Sequence, residues 1–362
     1  MTLPFHPLDT ELFARALPLL DEEWLTRDPD IAPVLPMVLA RNVGQDWHKA
    51  GTFRHHLVGV TRTLTLWQQP RDVRLLGLLH SVYGNAFVDL VKFDPASERA
   101  RIREVAGESA EHLVYLFCTQ SRTQFVERVL AGALESDGSL VLEKNGVRHV
   151  LTPYEVAAFL IVSMADTIEQ WFSWQDDIFS RFPVVQHRSQ AAHWAASLWP
   201  GPMRPSGRMV SQINAFGLAL QHPGLKNLLP IPPVFSHCTQ PLAPADEAAA
   251  ASLYWSVIQQ DQPLVDLDVA TGVLESAVRH NPWVGEPQMV LAQLYLSAGR
   301  KEEAHAAAAS ALHLFSAWGN AWDKRVQWDA WVAWTRILLQ GATVDGTWPE
   351  RLDKLNNVAL RG

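Results

Sequence analysis

Two histidines and one carboxylate stand where this sequence could do chemistry. His56 lies in FRHHLVGVTRTLTLW, and His80 follows 24 residues later at the end of VRLLGLLHSVYG. Imidazole serves as a metal ligand or a general acid/base near neutral pH, so two inward-facing histidines are the start of a site. Asp166 sits in AAFLIVSMADTIEQW, where a carboxylate among apolar residues is costly unless it is paired or metal-bound. Glu169 follows about one turn later and can share its face. Ser81, Tyr83 and Asn85, directly after His80, are candidate substrate contacts, because Gly84 allows a sharp turn at a pocket mouth. Glu111 and Glu169 are further candidate substrate contacts, and Glu111, His112 and Asp89 are also possible sources of an additional carboxylate or imidazole at the site. Each has a plainer reading: a histidine on an apolar face is often a hydrogen-bonded core residue, and HSVYGN also reads as a helix stop.

The elements that must position these residues are helical. Phe53, Leu57, Val60, Leu64 and Trp67 recur at helical spacing and form one apolar stripe. At 100° per residue His56 lies roughly 60° from the stripe's centre and His55 roughly 160° away, so His56 tilts inward and His55 faces water. Leu75, Leu76, Leu78 and Leu79 surround the next helix and carry His80 into the interior. Thr152-Pro153-Tyr154-Glu155 is a capping box with proline at the first helical position, opening the apolar helix that carries Asp166 through Trp171. Between them, a helix from near Ser97 through Phe117 and a hairpin about Asn145-Gly146 are expected.

The spelling HL-x-G … LLHS-x-YG resembles the HD-type metal-dependent phosphohydrolase superfamily over roughly residues 40 to 180. In that superfamily one helix supplies a His, the next a His-Asp pair and a later one an Asp, and together they hold one or two metal ions. The resemblance implies that His56, His80 and Asp166 are the metal ligands and catalytic residues. The sequence departs from the pattern at Ser81, which stands where the paired Asp belongs. Serine is a poor neutral ligand and cannot bridge two cations, so a single ion is the expectation. Two imidazoles and a carboxylate with open positions suit Fe²⁺, Mn²⁺ or Zn²⁺.

The chain has 362 residues, 48% of them hydrophobic and 19% charged, which suits two domains. A net charge of −8 and a pI near 5.9 give no basic footprint for nucleic acid or an anionic membrane. The two cysteines, Cys118 and Cys238, form no disulfide framework, and no signal peptide or long apolar run stands out, so a cytoplasmic protein is expected. Residues 1–200 read as an HD-like helical domain with an N-terminal collar, 201–246 as a proline-rich linker, and 247–362 as helical repeats. In the last part Ala270, Leu274, Ala277 and Pro282 are followed 34 residues later by Ala304, Ala308, Ala311 and Ser316. This spacing resembles tetratricopeptide repeats. Trp328, Trp331 and Trp334 read as a packing stripe capping the stack.

The fold class expected is all-α with one small β-hairpin. Two functions are open. One is a mononuclear metal-dependent enzyme acting on a small molecule, with hydrolase or iron oxygenase chemistry. The other is a metal-free ligand-binding module whose repeats dock a protein partner or self-associate.

Overall fold

The computed structural model describes residues 3–21, 23–48, 51–84, 90–170, 209–258, 266–344 and 346–348. It is mostly helical with a small antiparallel hairpin, as expected, and has a further two-residue strand pair that the sequence did not announce. The described residues form two compact units, one drawn from residues 21–200 and 212–232, the other from 1–20, 201–211 and 233–362.

In the first unit, short helices α2 (Trp24–Arg27) and α3 (Leu35–Leu39) lead into a small ladder of β1 (Trp47–His48) and β2 (Gly51–Thr52). Then come α4 (Phe53–Leu66) and α5 (Arg71–Leu79), numbered after α1 of the other unit. The stripe Phe53, Leu57, Val60, Leu64 and Trp67 is buried against α5 and a later helix. Thr52 caps α4 through a capping box with His55, which leaves His55 at the exposed start of the helix and turns His56 inward. One continuous helix was expected from Ser97, but two form, α6 (Arg99–Ala106) and α7 (Glu108–Thr119). Gly107 separates them with φ 90° and ψ 163°, a conformation open to glycine and strained for other residues. Ser97 bonds Asp94 and makes no helix cap.

After α8 (Arg122–Leu130), β3 (Leu140–Lys144) pairs with β4 (Val147–Leu151). Asn145 and Gly146 both have positive φ, as a two-residue hairpin turn requires. Thr152 then opens α9 (Pro153–Glu169) through the anticipated capping box. Every α9 residue from Val156 to Asp166 is buried. At roughly 1.5–3 kcal/mol for each large apolar side chain removed from water, that burial holds the helix in the middle of the unit.

Part of the stretch read as a linker is helical: α10 (Met209–Ala219) lies within it, followed by turns and a short 3-10 turn at Pro233–Ser236. The second unit stacks α11 (Pro244–Ile258), α12 (Leu267–His280), α13 (Glu286–Ser297), α14 (Lys301–Trp318) and α15 (Trp328–Gly341), each packed on the next. Ala270, Leu274 and Ala277 on α12 and Ala304, Ala308 and Ala311 on α14 are buried, so the small residues lie where neighbouring helices approach. The N-terminal α1 (Thr10–Ala16) packs on α14. Trp328 and Trp331 are buried, and their indole N–H groups donate to the carbonyls of Phe315 and Asp323. They are packing residues. Among the described residues no helix is long and apolar enough to cross a membrane.

Candidate metal centre

Three segments bring His56, His80 and Asp166 together in the first unit. His56 enters from the first turns of α4, His80 directly follows α5, and Asp166 lies near the end of α9. All three are buried. His56 Nε2 is 3.0 Å from His80 Nε2 and 3.4 Å from Asp166 Oδ1, and His80 Nε2 is 3.6 Å from the same oxygen. Three ligand atoms thus face one small space, and the group could hold a metal ion.

The outer partners decide which atoms these are. His80 Nδ1 donates to the Gly77 carbonyl at 2.8 Å, which leaves Nε2 as the lone pair. His56 Nδ1 donates to a Glu169 carboxylate oxygen, so its Nε2 is again the lone pair. Carboxylate or carbonyl partners on the far nitrogen are the usual way a protein fixes the tautomer of a ligating histidine. Gly59 makes room for this: a Cβ there would sit 3.0 Å from Glu169 Cγ. On Asp166, Arg122 takes Oδ2 at 2.8 Å, leaving Oδ1 to face the histidines. The Arg122 guanidinium also lies over the Phe117 ring, 4.3 Å from its centroid.

The charges follow from these contacts. Burial pushes the His80 pKa down to about 4, against the pull of Asp166, so the imidazole is neutral at physiological pH. Burial alone would raise the Asp166 pKa. Arg122, His80 and His56 outweigh it and hold the carboxyl well below the usual carboxylate range. A neutral His80 imidazole and an ionised Asp166 carboxylate are the protonation states metal binding needs. One donor reaches into the same space: Gln170 Nε2 lies 3.0 Å from His56 Nε2 and 2.5 Å from Asp166 Oδ1.

The other candidates divide. Glu169 belongs to the cluster, as the partner of His56. Ser81 is buried beside His80. The main chain there is tied by Cys118, whose Sγ donates to the His80 carbonyl at 3.1 Å. Tyr83 and Glu111 meet each other: the tyrosine hydroxyl donates to Glu111 at 3.0 Å. Arg99 grips the same carboxylate at 2.7 and 2.9 Å, and Arg103 at 2.9 Å. Burial would raise the Glu111 pKa, but these donors bring it below its ordinary value. That ion-pair knot, with a buried Glu111 and partly exposed arginines, joins α6 to α7. His112 is exposed and bonds Glu155 at 2.8 Å. Asn85 and Asp89 lie outside the described residues, as do Trp171 and the helical pattern beyond Pro183.

Arg122 and Gln170 escaped the sequence reading. A buried aspartate demands a cation, but nothing in the chain says which of 30 lysines and arginines supplies it. His48 was missed too; its ring centroid lies 4.5 Å from that of His56.

A family model described as a domain of unknown function (DUF6817) matches residues 37–122. That span takes in His56, His80 and Arg122, and stops short of Asp166 and Glu169. No curated protein and no solved structure matches the chain.

Proposed function

We propose that the first unit is a mononuclear metal-dependent enzyme acting on a small molecule, with hydrolysis as its reaction and His56, His80 and Asp166 as the ligands. The observation that carries this reading is the outward wiring of the three residues. Gly77, Glu169 and Arg122 occupy their far atoms, so two imidazole lone pairs and one carboxylate oxygen converge within 3.6 Å with like polarity. Two facing imine nitrogens repel unless a proton, a donor or a cation lies between them.

Three protein ligands leave positions for water and substrate, the arrangement of catalytic ions such as zinc. A bound ion would lower the pKa of a water and polarise a carbonyl or phosphoryl oxygen. The chain's own contribution is orientation and charge. Arg122 limits Asp166 to one free oxygen, and Glu169 raises the basicity of His56 by accepting its Nδ1 proton. Ser81, neutral and buried, supplies no bridge, which supports one ion and not two. The resemblance to HD-type phosphohydrolases supports the same assignment. Iron oxygenase chemistry uses the same donor types and differs in the ion taken up.

A second reading has its own observation. The Gln170 amide lies within hydrogen-bonding distance of the two atoms a metal would take from His56 and Asp166. In that version the cluster is a metal-free ligand-binding module, and the helical stack of the other unit docks a protein partner or a second copy.

Metal content of the untagged protein purified without chelators separates the two, with His56→Ala and His80→Ala alongside. Loss of one equivalent of zinc, manganese or iron in both variants, with loss of turnover on p-nitrophenyl phosphate or carboxylate esters, is the expected result. Folded variants that retain the wild-type metal content would sink the enzyme reading and leave the metal-free module.

A further inference from the structure

A second cluster lies in the other unit, and the proposed enzyme site makes no use of it. Three segments meet there: the N-terminal stretch before α1 carries His6, the turn after Pro233–Ser236 carries His237 and Cys238, and α14 carries His313. The backbone ties them down. His6 N donates to Ser310 Oγ at 2.9 Å, one turn before His313, and Cys238 N donates to the Val234 carbonyl at 3.0 Å. The rings of His237 and His313 are 4.2 Å apart, and the His6 ring lies 5.9 Å from the first and 5.7 Å from the second. Cys238 Sγ is 3.5 Å from His6 Nε2.

The decisive feature is His313. It is fully buried, and neither of its ring nitrogens has a hydrogen-bond partner among the described residues. An unpaired buried polar group costs about 1–3 kcal/mol, and this one faces two further histidines. The spacing has a chemical meaning. With N–metal distances of about 2.0–2.1 Å and S–metal of about 2.3 Å, a tetrahedral ion sets a nitrogen and a sulfur ligand about 3.6 Å apart. It sets the centroids of its imidazoles about 5.2 Å apart by the same geometry. The observed sulfur–nitrogen separation of 3.5 Å matches the first value, and the three ring separations, 4.2 to 5.9 Å, bracket the second.

We propose that His6, His237, Cys238 and His313 form a second metal site, a closed tetrahedral one for a zinc-class ion, which clips the N-terminal segment to the helical stack. Binding turns the imidazoles about their side-chain bonds to aim one nitrogen each, while the backbone stays where it is. The thiol gives up its proton to solvent as the sulfur–metal bond forms. With four protein ligands no position is left for substrate, so the ion is structural.

Cobalt(II) titration of the full chain carrying His80→Ala, which silences the first cluster, tests this. One equivalent should bind with tetrahedral visible absorption and a sulfur-to-cobalt charge-transfer band in the near ultraviolet, and zinc should displace it. Adding Cys238→Ser should remove the near-ultraviolet band and keep a weaker visible spectrum. Adding His237→Ala, at an exposed position where folding is not at risk, should weaken binding at least about tenfold. Absence of the sulfur band, or an affinity indifferent to His237→Ala, overturns the proposal. The first cluster contains no sulfur, so failure of the enzyme reading would leave this spectrum unchanged.

Discussion

The two histidine clusters differ in what surrounds them. Around His56, His80 and Asp166 every outer atom has a partner, and the partners fix which atoms point inward. In the cluster of His6, His237 and His313 the most buried ring, His313, has no hydrogen-bond partner among the described residues. The first arrangement has its donors oriented by neighbouring groups, as the proposed enzyme site would require. The second is an interior left polar and unsatisfied, which a structural ion would complete. The difference teaches that donor type does not distinguish the roles. In the two proposed sites, the groups behind the donors do.

The largest expected effect breaks the first cluster from outside. Arg122→Leu leaves Asp166 ionised and uncompensated in the interior, so stability should fall by about 3–5 kcal/mol, read from urea denaturation at neutral pH. A loss below about 1 kcal/mol would mean that the aspartate has another counter-charge. No such penalty attends substitutions in the second cluster, which holds no buried ion pair among the described residues.

Buried carboxylates sharpen the same contrast. Asp166 has Arg122 and two imidazoles, and its pKa goes down. Glu286 in the helical stack is equally buried, accepts from Trp322 N at 2.5 Å and Asp323 N at 3.0 Å, and lies near the Asp323 charge. Burial pushes its pKa up to about 7, from an ordinary 4.5, and Asp323 adds to the rise. Below pH 4.5 the folded and unfolded chains both carry the proton. As pH rises toward 7 the unfolded chain ionises freely while the fold holds its proton, so stability is lost across that window. Glu286→Gln should remove about 3 kcal/mol of that pH dependence. Melting curves at pH 4.5 and 7.5 for both proteins measure it, and parallel pH profiles would refute the assignment.

Much of the first cluster was legible because its residues ride on periodic helices. The stripe from Phe53 to Trp67 fixes the angle of His56, and the apolar run of α9 makes Asp166 conspicuous. The capping box at Thr152 and the Asn145-Gly146 turn announce themselves through local hydrogen bonding and positive φ. Arg122 and the pairing of Tyr83 with Glu111 are tertiary facts: they depend on where α7 and α8 come to rest, which no period encodes. Gly107 hid a helix break inside a helical pattern, because a single glycine is also tolerated in a helix interior. The second cluster was the least legible of all. His6 and His313 are 307 residues apart in the chain, neither belongs to a metal-binding spacing, and Cys238 alone suggested nothing.

An intermediate effect concerns orientation within the first cluster. Glu169→Gln keeps the shape and removes the charge that accepts the His56 Nδ1 proton. Divalent metal affinity should fall 10–100-fold, or about 1.4–2.7 kcal/mol, while the fold is unchanged, as measured by competition with a chromophoric chelator. An unaltered affinity would reduce Glu169 to a surface contact and remove the strongest sign that His56 is held as a ligand.

The smallest effect is also the one whose sign separates the clusters. His313→Leu replaces an unpartnered buried imidazole with an apolar side chain of similar size. In protein stripped of metal by a chelator this should stabilise the fold by about 1 kcal/mol, because the cost of leaving two ring nitrogens without partners disappears. His80→Leu under the same conditions should destabilise it, since the Gly77 carbonyl loses its donor and Asp166 loses one of the neighbours that favour its charge. Denaturation midpoints of the two variants, each with and without saturating zinc, complete the comparison. Zinc should stabilise the wild type and should no longer raise the midpoint through the second site once His313 is gone. A metal-free His313→Leu protein less stable than wild type would show that the imidazole has partners in solution, and would turn the second cluster from a waiting metal site into an ordinary polar core.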